Sequence, residues 1–194
     1  MHGYMERVAR GFALLGGAVL TSLILLVCLS VLGRSANSVL HSDLMQTYLP
    51  WLSSTLLAAG VGPITGDFEL VEAGMAFVIF AFLPLCHLRS AHASVDIFTS
   101  RFPKRAALFL RTLVEVVFAM IIVVIAWQLF QGLLSKMNSG QTTFLLQFPV
   151  WWGYALSQTA AVAAAIIAVY VAAMYVLELV TGQRRLPLDA GAEH

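Results

Sequence analysis

Four stretches of this chain are each long and apolar enough to cross a lipid bilayer, and this limits the folds open to it more than any other feature. The hydrocarbon core of a bilayer is about 30 Å thick, so a spanning helix needs roughly 20 apolar residues. The first stretch, GFALLGGAVLTSLILLVCLSVLG, covers residues 11–33; the others cover about 69–88, 106–134 and 150–180. In lipid every backbone N–H and C=O must be satisfied inside the protein, so segments of this length and composition read as helices. The expected fold is all-α and integral to the membrane. It is a single membrane domain over residues 1–194 with four transmembrane helices, and the tail at 183–194 is expected to be flexible. Composition supports this: 11% of residues are charged, against about 25% in soluble domains, and the mean hydropathy is +0.86. The first run exceeds the roughly 7–15 residues of a signal-peptide core, and Arg34 interrupts LGRSAN after it, so it reads as a retained helix.

Lysine and arginine set the orientation, because cytoplasmic loops carry the excess. Arg7 and Arg10 precede the first span, Arg89, Arg101, Lys104 and Arg105 separate the second from the third with Arg111 just beyond, and Arg184 and Arg185 follow the fourth. The other side has only Arg34 and Lys136. N and C termini are therefore expected in the cytoplasm, with loops 34–68 and 135–149 outside. Trp151 and Trp152 stand where the fourth span meets the outer interface, and Tyr175 lies near its inner end. In the first outer loop Leu44, Met45, Tyr48, Leu49, Leu52 and Leu56 share one helical face, and Pro50 suits a first helical turn. Short interfacial helices are expected there, making membrane lipids a partner. A net charge of +1 and the lack of a basic stripe exclude nucleic acid.

Charged residues at or within the spans need a reason. Asp67 and Glu69 open the second span, where negative charge complements the helix dipole. Glu72 is about a turn deeper, either snorkelling to the interface or meeting a partner protein. Arg111 and Glu115 are four apart on one face and are expected to pair, with a subunit interface as the alternative. Gln128, Gln131, Ser157 and Gln158 are expected to hydrogen-bond between helices. Ala160, Ala164, Ala168 and Ala172 recur every fourth residue, a spacing that lets helix backbones approach closely. The pattern does not say whether the neighbour is in this chain or another.

No catalytic constellation can be assembled. HExxH, GxSxG, P-loop and glycine-rich nucleotide signatures are missing. His87, His92 and Asp96 have the wrong spacing for one helical face and no fourth ligand. No ladder of acids crosses the membrane. The chain reads as a small membrane subunit that is not an enzyme.

Three segments carry a resemblance. RSAHASVD, Arg89 to Asp96, resembles the loop after the second helix in the small, DctQ-type membrane subunit of tripartite ATP-independent periplasmic (TRAP) transporters: Arg89, His92, Val95 and Asp96 fit, while Ala91 and Ala93 stand where Gly and Ile are common. TGDFELVEAGMAF, Thr65 to Phe77, looks like the Glu-bearing start of that family's second helix. GQTTFLLQFPVWWGYALS, Gly140 to Ser157, looks like its outer loop and fourth-helix start, with Pro149, Trp151 and Trp152. The resemblance spans about residues 8–180. It implies a scaffold in the bacterial inner membrane that braces a large, elevator-type membrane subunit for ion-coupled uptake of an organic acid. A periplasmic solute-binding protein delivers that acid. It also implies no cofactor in this chain, the coupling ion, usually Na⁺, belonging to the large subunit. Arg89 is then placed to meet lipid phosphates, and Asp96 to cap locally or to contact the large subunit. The alternative is a stand-alone small exporter or channel acting as a homo-oligomer.

Overall fold

The computed structural model of the chain describes residues 2–88 and 104–181. Among the described residues six helices follow one another: α1 (His2–Leu40), α2 (Asp43–Tyr48), α3 (Pro50–Ala58), α4 (Asp67–Leu88), α5 (Lys104–Ser139) and α6 (Trp151–Thr181). Among the described residues there is no strand, only an isolated antiparallel bridge between Thr142 and Pro149. Four helices among the described residues, α1, α4, α5 and α6, are long and apolar enough to span a membrane. The all-α fold with four such helices is thus observed.

The helices overrun the apolar runs that announced them. The run at 11–33 is the middle of a continuous 39-residue helix, about 58 Å long at 1.5 Å per residue. Polar residues at its ends extend it beyond any bilayer. Hydroxyls within the spans fold back on their own helices: Thr21 Oγ1 donates to the Gly17 carbonyl at 2.8 Å, Ser22 Oγ to Ala18 at 2.9 Å and Thr112 Oγ1 to Leu108 at 2.8 Å. In lipid such back-bonding satisfies a donor with no water at hand. Ser157 does the same with Gly153, at 2.8 Å, so the interhelical bond expected of it is replaced by one inside α6. Gln128 and Gln131 are exposed.

The spans pack in the order α1, α4, α6, α5, each against the next. α1 runs antiparallel to α4, with Gly16 against Ala81 and Leu23 against Gly74. α4 and α6 run parallel, with Ala73 against Gly153, and α6 is antiparallel to α5, with Tyr154 against Gly132. Ala9 of α1 shares a cluster with Tyr175 of α6, so the start of α1 and the end of α6 lie at the same end of the row. The middle of the row is the best covered. The share of each apolar window that is buried is 44% in α6 and 28% in α4, but 17% in α5 and 11% in α1.

The alanine column of α6 makes this row possible. Ala160, Ala164, Ala168 and Ala172 are all buried. The last three meet Ala119 and Ile122 of α5, while Ala160 meets Phe77, Val78 and Ala81 of α4. The column serves contacts inside the chain.

Candidate functional site

Two polar clusters, one at each end of the row, fasten helices that apolar packing alone would leave free to slide. At one end Asp67 opens α4. Its Oδ2 accepts a hydrogen bond from Ser30 Oγ of α1 at 2.5 Å and lies 3.7 Å from an Arg34 guanidinium nitrogen. The Ile64 N–H donates to Ser30 Oγ at 3.3 Å. Just above, any side chain on Gly33 would collide with the backbone carbonyl of Gly62. The chain entering α4 is therefore pressed against α1 and fixed there by one carboxylate.

Glu69, two residues on, reaches the other way. Its two carboxylate oxygens accept hydrogen bonds from the successive N–H groups of Leu145 (2.6 Å) and Leu146 (2.9 Å). Charge-assisted bonds of this kind are the stronger class. They hold the loop between α5 and α6, which is braced further by Thr143 N–H to the Phe148 carbonyl (2.9 Å) and Val150 N–H to that of Gln141 (3.0 Å). Lys136 Nζ donates to Gln141 Oε1 at 2.7 Å. Gln147 adopts a positive φ of 57°, and Gly66 one of 81°. At Gly66 a Cβ would also run into the Leu146 side chain, so glycine is required on both counts. Pro149 pairs with Thr142 and accepts from Trp152 N–H at 3.1 Å, leading into Trp151 and Trp152, whose rings meet edge to face at 6.2 Å. The dipole argument for Glu69 missed this clasp, because a loop 76 residues away leaves no trace in local spacing.

At the other end, His87 of α4 and Glu115 of α5 come together across the row. His87 Nε2 lies 3.1 Å from Glu115 Oε2, their side chains 4% and 14% exposed. The imidazole stacks on Phe118, centroids 4.5 Å apart and planes 16° from parallel. The Arg111 guanidinium sits 5.1 Å over the Tyr175 ring of α6, within cation–π range. The sequence pairs Glu115 with Arg111 on its own helix; the fold instead gives Glu115 an interhelical partner.

Of the other expected site residues, Glu72 is exposed on the same α4 face as Phe68, Met75, Ile79 and Phe82. Arg89, His92 and Asp96 lie outside the described residues.

Glu69 yields a direct prediction. With Glu69→Ala the amides of Leu145 and Leu146 lose their acceptor, and hydrogen exchange at these two positions is expected to rise about tenfold or more, as local opening becomes easier. Exchange in the α6 core around Ala164 is expected to stay unchanged. Equal protection at 145 and 146 in the variant would show that the clasp does not hold the loop.

A family model described as "Tripartite ATP-independent periplasmic transporters, DctQ component" matches residues 58–180. That stretch runs from the end of α3 through α6 and includes Asp67, Glu69, His87, Glu115 and the alanine column. No curated protein and no solved structure matches the chain.

Proposed function

The chain belongs to the DctQ component family of the tripartite ATP-independent periplasmic transporters, and on that premise we propose that it is a fixed brace for the large membrane subunit of such a transporter. The observation that carries this reading is the open row, polar-fastened at both ends. α1 and α5 stand at its two edges with most of their apolar surface uncovered, including Leu14, Ile24 and Leu25 on α1 and Val114, Ile121 and Trp127 on α5. A stationary frame needs resistance to shear between its helices, and the Asp67–Ser30, Glu69–loop and His87–Glu115 contacts supply it at two levels. It also needs a long apolar flank for a larger neighbour, and the edge helices supply that.

The termini then face the cytoplasm, in keeping with the lysine and arginine bias, and the membrane is the bacterial inner membrane. The large subunit holds the substrate and coupling-ion sites. The substrate is an organic acid delivered by a periplasmic binding protein. The row encloses no polar path of its own among the described residues: the groove between α5 and α6, lined by Val116, Ala119, Met120, Val169, Ala172 and Val176, is apolar.

Reconstitution tests the reading. Vesicles with this chain alone are expected to take up no solute, and vesicles with both membrane subunits are expected to transport once the loaded binding protein and an ion gradient are supplied. Uptake by this chain alone would make it a stand-alone carrier instead.

A further inference from the structure

We propose that the hairpin between α5 and α6, together with Phe68 of α4, is a lipid-seated anchor whose tip inserts at the boundary between headgroups and acyl chains of one leaflet. Its ligand is the apolar edge of a phospholipid layer, not a headgroup of particular charge. The proposal goes beyond the transporter reading and does not depend on it.

Level is the first argument. α4 has 22 residues, about 33 Å at 1.5 Å per residue, and Arg89 follows it in the sequence. That is little more than a hydrocarbon core of about 30 Å, so the first turn of α4 lies at the edge of the core. Glu69 is in that turn, and its carboxylate receives the Leu145 and Leu146 N–H groups. Gly66, just before α4, lies so close to Leu146 that a Cβ there would strike its side chain. The tip of the hairpin is thereby held where the span begins.

The backbone is the second. Lipid requires that N–H and C=O groups find partners inside the protein, whereas water would supply them. Thr143 N–H donates to the Phe148 carbonyl and Val150 N–H to that of Gln141, while Leu145 and Leu146 have Glu69. Gln147 Nε2 donates to the Phe144 carbonyl at 2.8 Å, and Thr142 Oγ1 to Gln147 Oε1 at 3.3 Å. These polar side chains serve the hairpin itself and leave its apolar ones outside.

The third argument is that surface. Phe144 is 86% exposed and Phe68 80%, with Leu145 and Trp152 also exposed. No charged residue occurs from Met137 through Leu177, so nothing on the hairpin steers a charged partner toward it. Phe, Trp and Leu without charge among them, at the level where a span begins, suit burial at the headgroup–acyl boundary. The Glu69 clasp then sets the depth: a loop pinned to α4 resists vertical displacement of α5 and α6.

The test uses the full chain with its large subunit in nanodiscs. A nitroxide on the Phe144→Cys variant, made with Cys28→Ala and Cys86→Ala, is expected to be reached several-fold more readily by oxygen, which partitions into lipid, than by a water-soluble nickel chelate. Preference for the chelate would put the tip in water and overturn the proposal. Protection from both would put it against protein and overturn it as well. Benzoylphenylalanine in place of Phe144, and separately of Phe68, keeps the native cysteines. It is expected to give phospholipid adducts on illumination, in equal yield in phosphatidylcholine alone and in phosphatidylcholine mixed with phosphatidylglycerol. Adducts confined to the large subunit or to a soluble protein would overturn the proposal, as would a yield that depends on the anionic lipid.

Discussion

Ala168→Leu is expected to lower the melting temperature of the detergent-purified chain by roughly 10 °C, taking about 3 kcal/mol for an overpacked core site and about 2–4 °C per kcal/mol at this size. Ala168 is 1% exposed and lies in the cluster where α6 meets Ala119 and Ile122 of α5. The added carbons press on the Ala119 and Ile122 cluster, so the two helices must separate or the side chain must leave its preferred rotamer. The internal control is the next residue. Val169 is 49% exposed at the edge of the open groove between α5 and α6, and Val169→Leu is expected to change the melting temperature by no more than about 2 °C, the range of exposed substitutions. Equal effects at 168 and 169 would mean that the column faces something other than α5.

Glu115→Leu is expected to be nearly as damaging, and for a different reason. It removes one member of a buried polar pair and leaves His87, 4% exposed, without the carboxylate it faces. Stripping a buried polar group of its polar neighbour costs about 1–3 kcal/mol, whereas replacing both members with apolar groups of similar volume is often neutral or stabilising. The double variant His87→Phe with Glu115→Leu should therefore recover most of the lost stability, since the aromatic ring can still stack on Phe118. Thermal unfolding of the two singles and the double, read as a mutant cycle, checks this. A double variant as unstable as the sum of the singles would show that the two residues act independently.

The clusters behind these predictions also show what the sequence could and could not say. The four spans were legible because a bilayer leaves helix as the form for an apolar segment of that length. The alanine column was legible because its period matches a helical face. What escaped was partner identity. Arg111 and Glu115 sit four apart, so local periodicity joins them, yet Glu115 meets a histidine on another helix. Ser30 is one hydroxyl inside an apolar run, and nothing near it in the chain announces that Asp67 will accept its hydrogen bond. Glu69 was singled out for its place at a helix start, but its two oxygens serve a loop distant in sequence. The extension of α1 past Arg34 was hidden as well: Arg34 looks like the end of a span, while the helix carries on for six more residues to Leu40, because nothing in Ser35–Val39 breaks it. One of the three motifs that carried the resemblance, Arg89 to Asp96, lies outside the described residues, so assembly and transport experiments must speak for it.

The order of packing has a further consequence for biogenesis. α6 joins the α1–α4 hairpin to α5, yet it is translated after all three. Until it leaves the ribosome, the nascent chain lacks the helix that packs between its earlier pieces, and α5 must wait in the bilayer with its alanine-facing side uncovered. Quality-control proteases that survey unassembled helices should therefore find α5 the most vulnerable segment during synthesis, and a ribosome stalled within α6 should leave it open to them.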